Sequence, residues 1–452
     1  MGLNIFSNLV ANKVKGCVLT ANNDTYNVQK VKPELYTTHP SGPVIYGVKL
    51  DKTMNNNKPL GASWATYTDD AVGLDGAYMD FTNDRFVDNG WLNRFPFNQI
   101  KPCMVKDGVV VGYLDPNDYT KYLDGTPSNN DQRSSGNVMI EVPKVYYKIS
   151  ADDTYTYIQI SNQTFDGACC LAHVYKGQEL SKVYVDAYLT GDRNYQTYGP
   201  CSIAGLRAAP ESFSLGYATM YPEIKEHRGD RCECFTYNLF NLFGCLFAVM
   251  FKSTNARTSL GLGLEKYTVN MVITGVDDQK GMYYGSNYWT SGDPEQGRIK
   301  LFGMEDYYGA KYTYVAGFYV DVNTDNPRVI NPYDSTSGYA TTDFENYPEI
   351  VVANPDKPID RNLKLVPIRI AGMNNIGFTR ANVSVDPTTD ASYNDCGFCS
   401  TTRYAASSSY VVGCMAMGFN TDAGVYSFNT YSTANTTRRG FRIVYFPEEN
   451  NN

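Results

Sequence analysis

Arg438-Arg439-Gly440-Phe441-Arg442-Ile443-Val444-Tyr445 reads as a strand that enters the protein core through a basic pair and stays there. The segment before it has a different character. From Ala391 to Thr437 there are three charged residues, Asp395, Arg403 and Asp422, and no lysine, glutamate or histidine. Ser, Thr, Asn, Tyr, Gly and Ala make up most of the rest, with Met415, Met417, Phe419 and Phe428 interspersed. Rigid aromatics beside small, adaptable hydrogen-bonding residues are the chemistry of a recognition surface. A segment that only had to fold would have no need to be so poor in charge and so rich in tyrosine.

Strand alternation divides these residues between two faces. In Val425–Thr433, Tyr426 and Phe428 fall on one face, expected to be core. Ser427, Asn429, Tyr431 and Thr433 fall on the other, expected to be exposed. In Cys414–Phe419 the small residues Cys414, Ala416 and Gly418 suit a close-packed inner layer. Met415, Met417 and Phe419 are then presented outward with Asn420 at the tip, flanked by Tyr404 and Tyr410. An exposed Met-Met-Phe row is costly unless it binds something.

Composition narrows the function classes. Charged residues make up 19% of the 452 residues, against about 25% in ordinary soluble domains. The net charge of −8 and the lack of a Lys/Arg-rich run argue against nucleic acid as the main partner. Met1–Ser7 is too polar for a secretory segment. The longest apolar run, Leu242–Phe251, is half a bilayer span and contains Gly244, so a buried helix is expected and no membrane insertion. The eleven cysteines, including the pairs Cys169-Cys170, Cys232/Cys234 and Cys396/Cys399, lack a second C-x-x-C with zinc-like spacing. They read as small buried hydrophobes; no metal and no cofactor is expected.

Upstream of the closing strand, the pattern predicts an α+β fold in three parts. Residues 1–43 read as a leader or attachment segment and 44–137 as a β-rich domain. The Pro-, Gly- and Asn-containing stretch 115–137 marks a boundary, and 138–452 follows as a ligand-binding domain. Strands are predicted at Val44–Leu50, across Ile100–Tyr113 with a turn at Lys106-Asp107-Gly108, at Val138–Lys148, at Tyr155–Ile160 and at Val183–Leu189. Helices are confined to about 210–252, the second spanning Cys232–Phe251 and apolar almost all round. Glu305-Asp306 and Asp69-Asp70 read as turn-capping carboxylates rather than catalytic or metal pairs, because neighbours in sequence rarely point into one site. No phosphate loop, H-E-x-x-H or nucleophile elbow is present.

Several segments together resemble a known family. They are Tyr46–Asp51, Tyr67–Gly73, Phe97–Cys103, Met139–Lys148, Cys170–His173, Phe302–Gly309 and Gly440–Arg442. In this order they resemble phage tail proteins with a C-type lectin-like fold, a family that includes retroelement-diversified variable proteins. The resemblance implies a C-type lectin-like C-terminal domain and a variable face before the Gly440–Arg442 strand. It also implies a virion receptor-binding role against a host-surface protein or glycan, attachment to other tail proteins through the N-terminal region, and a homotrimer. The closing region is similar to the formylglycine-generating enzymes as well. Their Arg-Gly-Gly-Ser-Trp signature is replaced here by Asp395-Cys396-Gly397-Phe398-Cys399, which speaks against an oxidase. A structural virion decoration protein is the remaining alternative.

Overall fold

The computed structural model describes residues 18–21, 24–27, 42–51, 65–152, 154–191, 199–208, 217–254, 256–264, 272–287, 297–316, 318–321, 326–329, 365–369, 376–380, 399–401, 414–416, 424–425, 428–430 and 439–449. One unit spans Met1–Gly42 and is described as an antiparallel pair, Val18–Ala21 with Asp24–Asn27. The other spans Pro43–Asn452. Its first strands are β1 (Ile45–Asp51), β2 (Ala65–Asp69), β3 (Lys101–Lys106), β4 (Val109–Asp115) and β5 (Asp118–Tyr122). Then come β6 (Asn137–Pro143), β7 (Tyr146–Ala151), β8 (Tyr155–Ser161) and β9 (Lys182–Asp186). Helix α1 (Tyr217–Arg228), strand β10 (Cys232–Cys234) and helix α2 (Tyr237–Phe251) follow. The later strands are β11 (Ile299–Leu301), β12 (Met304–Glu305), β13 (Tyr312–Val315), β14 (Cys399–Thr401), β15 (Cys414–Ala416), β16 (Phe428–Thr430), β17 (Arg439–Gly440) and β18 (Ile443–Tyr445). The architecture is α+β, with several sheets and few helices.

Seven strands form one sheet in the order β10-β18-β9-β6-β3-β4-β5, and four form another in the order β7-β8-β1-β2. Both cross residue 137, where a domain boundary is expected from sequence. β6 pairs with β3 in the first sheet, and β8 pairs with β1 in the second. The Pro/Gly/Asn stretch is therefore a connection between paired strands, because the hydrogen bonds of each sheet are completed only from both sides of it. The run Val138–Lys148 also divides. It breaks at Lys144-Val145, just after Pro143, and its halves β6 and β7 enter different sheets. Pro143 has no N–H to give a ladder, which favours a break at this point.

Local chemistry explains several elements. The turn between β3 and β4 is Asp107-Gly108, with φ of 50° and 76°. Two left-handed residues match the twist of a two-residue hairpin, and Asp-Gly supplies them at little cost. The second helix is shorter than Cys232–Phe251. Cys232–Cys234 is instead an edge strand against β18, and α2 starts after Thr236. The Thr236 side chain accepts from the Leu239 N–H at 3.3 Å, satisfying a donor that the first helical turn leaves orphaned. Every residue of α2 except Asn238 is buried, as an apolar helix covered on several sides requires. At its far end the Tyr67 hydroxyl donates to the Val249 carbonyl at 2.9 Å, and Ala77 N–H to the Met250 carbonyl at 2.9 Å. The last carbonyls of a buried helix need such partners.

The two-residue turn Phe302-Gly303 joins β11 to β12, with φ of 51° and 82°. An aromatic residue is a poor choice for the left-handed region, which costs about 1–2 kcal/mol outside glycine. Packing offsets this. The wholly buried Phe302 ring stacks on Phe243 at 5.5 Å and Phe97 at 6.2 Å, and meets Tyr283 edge-on at 5.7 Å. Phe302→Ala is expected to cost about 3–5 kcal/mol in a denaturant titration, since the lost contacts outweigh any relief in the turn. A loss under about 1 kcal/mol would show that the turn, not the core, selects this residue.

Candidate functional site

Phe441 and Val444 are buried, as expected for core residues of the closing strand. β18 lies between β10 and β9, with Val444 opposite Val185 and Glu233. Thr190 N–H donates to the Phe441 carbonyl at 2.8 Å, and Phe235 N–H to the Arg442 carbonyl at 2.9 Å. The Arg442 side chain is wholly buried and turns back across the fold. Its guanidinium donates to the carbonyls of Asp186 at 3.2 Å, Ala187 at 2.9 Å, and Glu305. A planar fork of five donors can gather carbonyls from two chain segments in one plane, which a lysine cannot do. The Asp186 carboxylate completes the join. It accepts from Arg228 at 2.8 Å and from the Ile443 N–H at 3.2 Å. Burial pushes the Asp186 carboxyl up, and the Arg228 charge works against that shift.

Behind Arg442 lies a second set of buried charges. Arg298 donates to Glu305 Oε1 at 3.0 Å and Asp306 Oδ2 at 2.9 Å. The Glu305 carboxylate also accepts the N–H groups of Gly275 and Asp277, each at 2.9 Å. It therefore caps a turn, but one 30 residues earlier in the chain rather than its own. Asp306 sits in the left-handed region at φ 52°. Asp278 accepts from Asn130 at 2.6 Å and from the Tyr188 hydroxyl. Lys300 donates to the carbonyls of Asp277 at 3.1 Å and Lys280 at 3.2 Å, with its ammonium 3.4 Å from the Tyr119 ring centroid. Burial lowers the Lys300 ammonium to about 8, opposed by Asp278, Glu305 and Asp277. These groups fix chain segments to one another. Asp69 and Asp70 do similar work nearer the surface. Asp70 Oδ2 accepts the Ile45 N–H at 2.8 Å, and Asp69 takes a left-handed turn position at φ 53°.

Of the residues expected to contact a ligand, Met415 and Asn429 lie in described strands. Tyr404, Tyr410, Met417, Phe419, Asn420, Ser427, Tyr431 and Thr433 lie outside the described residues. β15 and β16 belong to a five-stranded sheet in the order β14-β16-β15-β13-β17. Met415 pairs directly with Asn429 on one side and Tyr314 on the other. Ala416 pairs with Phe428 and Thr313. Tyr314 is 5% exposed.

Among the described residues, one group could hold a metal ion: Glu223, Glu226 and His227, on the last turns of α1. Glu223 and His227 form an i,i+4 contact at 3.4 Å. The group is partly exposed and no buried, unsatisfied donor points at it. The cysteines at 103, 169, 170, 201, 232, 234 and 245 are free thiols. Burial pushes Cys169 up to about 11, Cys170 to about 12 and Cys232 to about 11, which keeps them neutral. Cys396 lies outside the described residues. Compared with known proteins, the chain matches no protein-family model and no curated relative. The Arg442 fork was not legible in the sequence, where it reads only as part of a strand. Its partners are 137 to 256 residues away.

Arg442→Met should lower stability by about 3–5 kcal/mol in a urea titration, because it strips three buried carbonyls of a donor and leaves the carboxylates behind them less compensated. Arg442→Lys should recover only part of the loss. A full recovery with lysine would mean that charge, not the fork, is what matters.

Proposed function

We propose that this protein is a receptor-binding protein of a phage tail, with a C-type lectin-like domain whose tyrosine-, serine- and asparagine-rich segment binds a protein or glycan on the host surface. The observation that carries the reading is the pairing of Met415 with Asn429. Two residues singled out as contacts by composition and alternation stand side by side on adjacent strands. The strand that closes this segment is anchored, since Arg442 and Asp186 tie it to β9 through buried hydrogen bonds. A recognition surface gains affinity when its scaffold is ordered before binding.

In this reading Met415, Met417 and Phe419 supply buried area, and Asn420, Ser427, Asn429, Tyr431 and Thr433 supply adaptable hydrogen bonds, with Tyr404 and Tyr410 at the flank. The chemistry is recognition rather than catalysis. A homotrimer would multiply a weak single-site affinity through avidity. The separate Met1–Gly42 unit is the part proposed to join the virion. Diversification would appear among sibling sequences as substitutions confined to Tyr404–Thr433.

The test pairs adsorption to host cells with thermal melting for Tyr431→Ala and Tyr426→Ala. Tyr431→Ala is expected to weaken adsorption by about thirtyfold, the equivalent of roughly 2 kcal/mol for a hot-spot aromatic, with little change in melting temperature. Tyr426→Ala is expected to melt early. The reverse pattern would mean that the register is off by one and every outward residue on that strand is wrong together. Adsorption untouched by either substitution would favour a structural virion component.

A further inference from the structure

We propose that the buried carboxyl group of Asp277, Asp278, Glu305 and Asp306 holds a proton beyond what its cations neutralise, and forms a pH-responsive latch that grips segment 272–278 and loosens as pH rises. The inference is independent of the receptor-binding reading. It starts from a charge count. Among the described residues, three cations face these four carboxyls: Arg298 just before β11, Lys300 on β11, and Arg442 ahead of β18. Asp186 also faces Arg442, but it is paired with Arg228 at 2.8 Å. Asp118 faces Lys300 from the sheet edge and is paired with Lys121 at 2.7 Å. Tyr119, Tyr188, Tyr284 and Asn130 are further polar side chains against the group, and Tyr307 faces Arg442. One negative charge is left over in a region where all four carboxyl-bearing residues are buried. An isolated buried charge is costly enough that a group takes up a proton instead.

Hydrogen bonding shows where that proton sits. Glu305 accepts three donors, and Asp278 accepts two. Asp277 Oδ2 and Asp306 Oδ1 are buried with no donor among the described residues. A bare carboxylate oxygen is the expensive state there, and a neutral carboxyl is the cheap one. The electrostatics agree. Burial, then the charges of Glu305 and Asp306, push Asp277 up to about 8. Burial pushes Asp306 up to about 7 against Arg298, with Glu305 adding to the rise. Asp278 rises to about 6 by burial and Glu305.

The segment gripped is a junction. Gly205 N–H donates to the Thr274 carbonyl, Thr274 N–H to the Leu206 carbonyl, and Ala208 N–H to the Val272 carbonyl. Tyr119 N–H donates to the Asp278 carbonyl at 3.0 Å. Glu305 holds the same segment by two amides. Deprotonating Asp277 or Asp306 places like charges beside Glu305 and works against those bonds. A carboxyl raised in the folded protein favours folding while it keeps its proton. That contribution is complete below the unfolded carboxyl's titration near pH 4 and is lost as pH rises through about 6 to 8.

The test is urea unfolding of the full chain between pH 5.5 and 8.5 for the wild type, Asp277→Asn and Asp306→Asn. The wild-type unfolding constant should rise with pH by up to about tenfold per unit for each proton lost. One or both asparagine variants should flatten that rise and outlast the wild type at pH 8.5. Comparing proteins at each pH cancels the contributions of Glu233 and His173, which burial moves to about 7 and about 4. Parallel slopes in all three proteins, or a flat wild type, would overturn the proposal. If neither variant folds, carboxyl carbons of ¹³C-aspartate-labelled wild type are titrated instead. A buried aspartate titrating above pH 6 supports the latch, and a full set of charged aspartates by pH 6 overturns it. Amide exchange at Gly275 and Asp277, corrected for its intrinsic pH dependence, should speed up over the same range. Unchanged exchange there would show that the proton does not control this segment.

Discussion

The Arg442 guanidinium is wholly buried, and its two terminal nitrogens donate to the chain while Nε has no partner among the described residues. It meets the carbonyls of Asp186, Ala187 and Glu305, which brings the end of β9 and the start of the Glu305 turn to one point. Much else follows from that convergence. β18 must lie against β9 for the fork to reach, and Asp186 then receives the Ile443 N–H from the same strand. Arg228 at the end of α1 neutralises Asp186, which ties the helix to the sheet. Removing a single partner would leave buried groups without compensation, the costly arrangement for buried charge. The buried network is therefore strongly cooperative, and its stability depends on the whole set being present.

The same region shows why a buried charge cluster need not be a catalytic site. Glu305, Asp306, Asp277 and Asp278 are crowded, shifted and held by short bonds, all of which are features of active sites. Yet Glu305 is spent on the backbone amides of Gly275 and Asp277 and on Arg298, Asp278 on Asn130 and Tyr188, and Lys300 on two carbonyls. The surface proposed for recognition lies instead on the five-stranded sheet, where Met415 and Asn429 meet.

Short-range chemistry made parts of the fold legible in advance. Asp107-Gly108 could be read as a turn because only certain residues accept two left-handed positions in a row. Leu242–Phe251 could be read as a buried helix because it is apolar all round and too short to span a bilayer. The pairing of β7 with β8 could be read because hairpin partners are neighbours in sequence. The helix starts five residues later than Cys232, since Cys232–Cys234 is apolar enough for either state and only β18 beside it makes it a strand.

The sequence by itself determined the character of the elements: a charge-poor tyrosine-rich segment, an apolar closing strand with Phe441 and Val444 inward, and glycine-bearing turns. These depend on side-chain type and on periods of two and 3.6 residues, which are visible in a line of letters. Tertiary structure alone decided that residue 137 is no boundary, because β3 meets β6 and β1 meets β8 only after the chain has folded back. It also decided that Glu305 caps the turn at 275–277, and that Arg442 reaches carbonyls up to 256 residues away. Hydrogen-bond partners so distant leave no local trace. A buried donor accepts whichever carbonyl the packing delivers, and every residue carries a carbonyl.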